Sequence, residues 1–344
     1  MTPKFRLAIA TMIIAAAGGG AVALSRPGTE AAPRPPSAIR SASSGSEAWL
    51  DPSYLRGAFA STSAEEAKAA KKIEAYENSC MEAASEEMRA RVKQAGFAAD
   101  KISTQPYRDA WCDRVVYFSL LARSYSSWTR FVSDLHMASQ IASAYVLALH
   151  HRSRADGPAK SLRQQLRLRA ALDSALRQGS IEQNLSTMPS NESIRSLVAQ
   201  LLDLASREND RANRLFLEES VLSESAQSLA STLDKQAKED AWLLVQHSDA
   251  DPALQARALR TFKVFARGDP RLRSDYAMLW DRVHLKLEGV QLFGSQARCL
   301  GGRRTFAGRL LKPSTVDRRR NSMGLPPVAS NMSRMDREYG SCSR

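Results

Sequence analysis

Apolar positions recur every three or four residues through most of this chain. From Pro106 they fall at Trp111, Val115, Phe118, Leu121, Tyr125, Trp128, Val132, Leu135, Ile141, Tyr145 and Leu149, which predicts helix to about His151. Upstream, Ser63-Ala64-Glu65-Glu66 reads as a capping box and predicts a helix towards Gly96, broken near Asn78-Ser79. Gly157-Pro158 ends the second stretch. Lys160–Arg177 then repeats leucine at Leu162, Leu166, Leu172 and Leu176, with Arg163, Arg167, Arg169 and Arg177 at other positions. That is a basic amphipathic helix, suited to a membrane surface or partner groove, or to a bundle surface with its charged face in water. Glu192–Leu217 and Ala226–His247 predict two more helices.

Two helices share one punctuation. Asp251-Pro252 opens a helix that Gly268 closes, and Asp269-Pro270 opens another that Gly289 closes. Asp as N-cap, Pro in the first turn and Gly past the end is the expected asymmetry of helix termini. With so little chain between them, the pair should form a tight corner. Beyond Gly289 the texture changes: Gly294, Gly301, Gly302, Gly308, Pro313, Gly324, Pro326 and Pro327 predict loop, with one short helix at Val316–Met323 and a short hairpin within Arg304–Leu311. No alternating pattern of useful length appears. The fold class expected is all-α, a multi-helix bundle or helical array with a Gly/Pro-rich, basic C-terminal loop arm.

The organisation expected is a targeting segment at 1–23, a linker at 24–62, a helical region at 63–179 and a C-terminal helical domain at 190–344. Lys4 and Arg6 precede an apolar run from Leu7, and Ala21-Val22-Ala23 supplies small residues for cleavage, the layout of a secretory signal. The alternative is an uncleaved anchor in the inner membrane facing the periplasm. Three glycines and many alanines make it a weak span. Both readings place the body outside the cytoplasm, in the periplasm. The linker, rich in Pro, Ser and Ala, cannot bury a core.

Compartment changes how the cysteines are read. Cys80, Cys112, Cys299 and Cys342 make an even set compatible with two disulfides in an oxidising space, and proximity favours Cys80–Cys112 and Cys299–Cys342. Four unpaired small core residues are the other reading. The formal net charge is +13, and residues 298–344 hold eleven Lys/Arg against three Asp/Glu, a surplus of 8. Such an arm suits anionic lipid headgroups, acidic polymers or acidic proteins. Export argues against nucleic acid as the partner.

Candidate chemistry concentrates late in the chain. Gln246 and His247 fall in the last turn of a predicted helix, where a cationic His gains from the macrodipole. Asp281 and His284, three apart, can pair, while Arg282 points to another face. If the helices converge, His247, Asp281, Gln291 and Gln296 would line one polar pocket, with His247 and Asp281 as the candidate general base and its orienting carboxylate. The other reading is a buried network that docks the loop on the helices. Arg318-Arg319-Arg320 could grip a carboxylate or phosphate, or be solvated, or pair locally. No metal motif, catalytic-serine elbow or phosphate loop is present, and His150-His151 diverge on a helix. No cofactor or metal is expected.

The blocks Trp242–Asp249 (W-L-L-V-Q-H-S-D), Asp281–Val283 (D-R-V), Gln291–Gln296 (Q-L-F-G-S-Q) and Val316–Pro327 resemble, in order, a bacterial domain family of unknown function. The resemblance spans roughly Glu192–Tyr339. The chain departs from it at Phe293, where an aromatic hydroxyl is more usual, at Ser295 in place of Thr, and in the basic segment before the Arg run. The resemblance gives kinship and a place to look, but no reaction. The leading expectation is an exported cell-envelope binding or scaffolding protein with a basic C-terminal arm, whose partner is an anionic envelope surface or another protein. Direct membrane contact would come through the N-terminal segment if uncleaved. The rivals are an envelope hydrolase or transferase using His247 and Asp281, and a structural subunit whose basic helix meets a partner.

Overall fold

A computed structural model describes residues 63–100, 102–104, 125, 127–153, 161–178 and 191–342. The targeting segment, the linker, Cys112 and the early part of the helix expected from Pro106 lie outside the described residues. Ten α-helices and four short strands make up the described chain, so the class is all-α. The chain forms two compact units. Among the described residues, one takes 63–87, 104, 125, 127–153, 168–178 and 191–212; the other takes 88–100, 102–103, 161–167 and 213–342. The division is therefore interleaved in sequence rather than falling at one boundary.

In the first unit, α1 (Ser63–Gln94) contributes its first part, followed by α2 (Trp128–Ser153), most of α3 (Leu162–Gln178) and most of α4 (Glu192–Phe216). Helix α1 runs unbroken through Asn78-Ser79, where a break was expected. Each of those residues costs only roughly half a kcal/mol in a helix interior, too little to interrupt so long a run. Ala84, Phe131, Ala138, Leu172, Leu197 and Val198 are among its buried residues. Arg177, from the basic helix, is spent inside the unit: Nε reaches Asp173 at 3.4 Å and Nη2 reaches Asp210 at 2.5 Å.

The second unit begins its main run with a π-helical turn at Leu217–Val221. Then come α5 (Ala226–Thr232) and α6 (Lys235–His247), where one helix was expected. Buried Leu233 is extended and Asp234 starts again as an N-cap, accepting from the Ala237 amide at 2.9 Å. The aspartate offers the backbone a local alternative to continuing the helix. Helices α7 (Pro252–Phe265) and α8 (Pro270–Glu288) carry the expected Asp caps, to the amides of Leu254 at 2.9 Å and Arg271 at 2.8 Å. They pack against each other as a corner. Gly289 closes α8 in the left-handed region at φ 69°, and Leu229, Leu244, Leu254, Phe262, Leu279 and Val283 are almost wholly buried.

Past Gly289 the chain forms β1 (Val290–Gln291), β2 (Ala297–Leu300), β3 (Arg303–Phe306) and β4 (Arg309–Leu310). The hairpin is β2–β3, antiparallel, turning at Gly301-Gly302, rather than one lying within Arg304–Leu311. Both glycines have positive φ, 57° and 73°, as a two-residue hairpin turn of this hand requires. Strand β4 instead runs parallel to β1. Gly308 allows that approach: a Cβ there would lie 2.6 Å from the Gly289 carbonyl oxygen. The short helix expected near Val316 is α9 (Val316–Ser322), and α10 (Val328–Tyr339) follows the double proline, where loop was expected.

Candidate functional site

Three of the four motif blocks meet at one loop, residues 291–296. Asp281 is fully buried. Its Oδ1 accepts from the amides of Leu292 (2.7 Å) and Phe293 (2.9 Å), and its Oδ2 from that of Ser295 (2.7 Å). Gln291, also fully buried, closes the loop on itself: Oε1 accepts from the Gln296 amide at 2.8 Å and Nε2 donates to the Gln296 carbonyl at 2.9 Å. The Gln296 side chain turns back to Ser295 Oγ at 3.2 Å. Gly294 sits at φ 62°, with Phe306 packed where a Cβ would go, 2.6 Å from Cε1. Arg319 donates to the carbonyls of Leu292, Leu311 and Lys312 and to Thr315 Oγ1. Arg320, 1% exposed, donates to the carbonyls of Phe293 (2.7 Å), Gly294 (3.2 Å) and Pro326 (2.5 Å).

This geometry corrects the sequence-derived picture of a pocket. The Asp281 carboxylate is consumed by backbone amides, so it orients no histidine and supplies no base. Gln291 serves its own loop. Arg319 and Arg320 satisfy buried carbonyls, and of the basic run Arg318 alone is exposed. Buried backbone groups need partners, and these side chains supply them where neither helix nor sheet does. The enzyme reading built on His247 and Asp281 thus loses its carboxylate.

The remaining candidates go elsewhere. His284 pairs through Nδ1 with Glu288 Oε2 at 2.7 Å, one turn on, instead of with Asp281. Its ring stacks on Trp280, with centroids 3.7 Å apart and planes at 20°, and meets the edge of Phe97 at 5.3 Å. Arg282 Nη1 donates to both carboxylate oxygens of Asp249, at 2.6 and 2.8 Å, and Lys286 adds a contact at 2.7 Å. Burial alone would raise the Asp249 carboxyl, but Lys286 and Arg282 together hold it down at about 2. The Gln246 carbonyl accepts from Gln255 Nε2 at 3.1 Å, and His247 is half-buried in the last turn of α6.

A further ion network had no sequence signal. Arg91 bridges Glu218, on the π-helical turn, and Asp251 at 2.6 Å, while Arg257 reaches Glu218 at 3.0 Å. Its partners lie 127 and 160 residues from Arg91, beyond any local periodicity. Among the described residues, no three His, Cys, Asp or Glu side chains gather as a metal site.

The exposed chemistry lies on the hairpin. In its register Arg298 faces Thr305 and Leu300 faces Arg303, so these four share one side; Ala297, Cys299, Arg304 and Phe306 share the other. The second side is anchored. Cys299 is bridged to Cys342, one of the two pairings expected, with Cα atoms 5.5 Å apart. Arg304 donates to Asp336 Oδ1 at 2.7 Å and to the Gly340 carbonyl at 2.9 Å. On the first side Arg298, Leu300 and Arg303 are exposed.

The balance of charge follows from which groups are occupied. Asp336 holds Arg304 and Glu338 holds Arg334, so two of the three acids of residues 298–344 are ion-paired; the third, Asp317, accepts from the Val328 amide and keeps its charge. Besides Arg334, Arg298, Arg303, Arg309, Lys312, Arg318 and Arg337 are all exposed.

No curated protein and no solved structure matches the chain. A family model does match, over residues 160–343, beginning before the Glu192 start of the sequence resemblance and taking in α3. The chain belongs to DUF6624, a family of unknown function.

Proposed function

We propose that this protein is exported to the cell envelope and binds an anionic surface there through its C-terminal region. The observation that carries the reading is the one-sided charge of residues 298–344: two of the three acids are ion-paired to arginines, while six cations besides Arg334 stay exposed. Export is supported by the positive n-region and apolar run before Ala23 and by the Cys299–Cys342 bridge, which suits an oxidising compartment. The binding is electrostatic and delocalised, which fits a surface better than a small ligand.

The test is association with an immobilised polyanion and with anionic vesicles across a salt series. Reversing Arg298, Arg303 and Arg309 to Glu should weaken both, and salt should weaken the wild type through screening. A control reversing Lys68, Lys71 and Arg89, all exposed, makes the same change in net charge outside residues 298–344. Equal loss in the two variants, or binding indifferent to salt, would sink the proposal.

A further inference from the structure

We infer that the surface this hairpin meets is a lipid bilayer, and that Leu300 is the side chain that enters it. The inference rests on the anionic-surface reading and deepens it by naming the partner. Leu300 is 60% exposed, more than Met137, Leu147 or Leu215, the other large exposed apolar residues described. A single exposed leucine is ordinary by itself; its placement here is not. It is the last residue of β2, directly opposite Arg303 across the Gly301-Gly302 turn, with Arg298 two residues back on the same side. The tip is open, since a Cβ added at Gly301 would meet nothing within 4 Å.

The opposite side of the hairpin is held by the Cys299–Cys342 bridge and the Arg304–Asp336 pair, so the tip is presented on a fixed base. Two arginines beside one exposed apolar side chain at an open turn match the layering of a membrane interface. The guanidinium groups meet phosphate headgroups, and the leucine reaches the acyl boundary just beneath them. A soluble polyanion would use the arginines and leave the leucine in water. That difference separates the two partners.

Three forms of the full chain should be compared: wild type, Leu300→Ser, and Arg298→Glu with Arg303→Glu. Each is titrated with vesicles of mixed phosphatidylcholine and phosphatidylglycerol, and with soluble polyglutamate. Full burial of a leucine is worth enough that Leu300→Ser should weaken vesicle binding roughly ten-fold or more while leaving polyglutamate binding unchanged. The double charge reversal should weaken both. An independent readout is Leu300→Trp: its added fluorescence over wild type should shift to the blue on vesicles and be quenched by lipids brominated near the headgroup. If Leu300→Ser binds vesicles as wild type does while the charge reversal binds poorly, insertion is overturned and the anionic-surface reading stands. If neither variant changes binding, both fall. The substituted positions are exposed, so a matched melting temperature will show that the fold is intact.

Discussion

Asp281 looks in sequence like the carboxylate of a catalytic pair and acts in the structure as a clamp on three amides. Its removal should therefore act on stability. Asp281→Ala leaves three backbone donors without their acceptor, and an unsatisfied buried donor costs about 1–3 kcal/mol, so a loss of roughly 4 kcal/mol or more is expected, read as a lowered midpoint in thermal or urea unfolding. A variant that melts with the wild type would return Asp281 to the list of residues available for chemistry. Asp275 makes a different claim. It is 1% exposed, and burial raises its carboxyl to about 6; Arg271 pulls it back, while Glu239 and Asp269 push the same way as burial. Because the folded value lies above the unfolded one, of about 4, the folded state holds its proton more tightly. Its contribution is therefore fully present below about pH 4 and is lost as pH rises through about 6. Asp275→Asn should gain melting temperature over wild type progressively between those values and hold the gain at neutral pH. Parallel profiles would show that Asp275 titrates as an ordinary aspartate.

At the scale of elements, local chemistry was legible wherever it decided the outcome. The Asp-Pro openings of α7 and α8 and the glycine closing α8 were readable because caps act within one turn. The short helix near Val316 was expected too, although no side chain caps its start. Three features were not. The split between α5 and α6 turns on Asp234, whose capping bond competes with a helical continuation that periodicity alone favours. The hairpin turns at Gly301-Gly302, and β4 leaves it to pair with β1 at a contact that requires Gly308 beside Gly289. Helix α10 follows two prolines, and the density of Gly and Pro masked it. The site was legible to the same degree. That Asp281 and Arg282 point to different faces follows from helix geometry; that one faces loop 291–296 and the other Asp249 is tertiary. Arg318, Arg319 and Arg320 are identical in sequence, and only the fold separates one exposed cation from two that hold carbonyls.

At the scale of the whole molecule, charge and covalent closure meet in the C-terminal residues. A chain with a net charge of +13 that concentrates its surplus at one end repels itself there. A two-stranded hairpin is marginal by itself in water. The Cys299–Cys342 bridge, spanning 43 residues, is the counterweight. Closing a loop of that size removes chain entropy from the unfolded state worth about 3–4 kcal/mol. For a unit of this size that corresponds to a shift of roughly 6–16 °C in melting temperature. The molecule should thus melt that much lower as Cys342→Ser than as wild type without reductant. Limited proteolysis of the variant should cut first at Arg303 or Arg309, where the hairpin has lost its anchor. Reductant should bring the wild type down towards the variant, tying full stability to an oxidising compartment as the proposed export requires. If the two proteins melt together and are cut alike, the hairpin is held by the Arg304–Asp336 pair and its packing alone. The bridge would then give no reason to place this chain outside the cytoplasm.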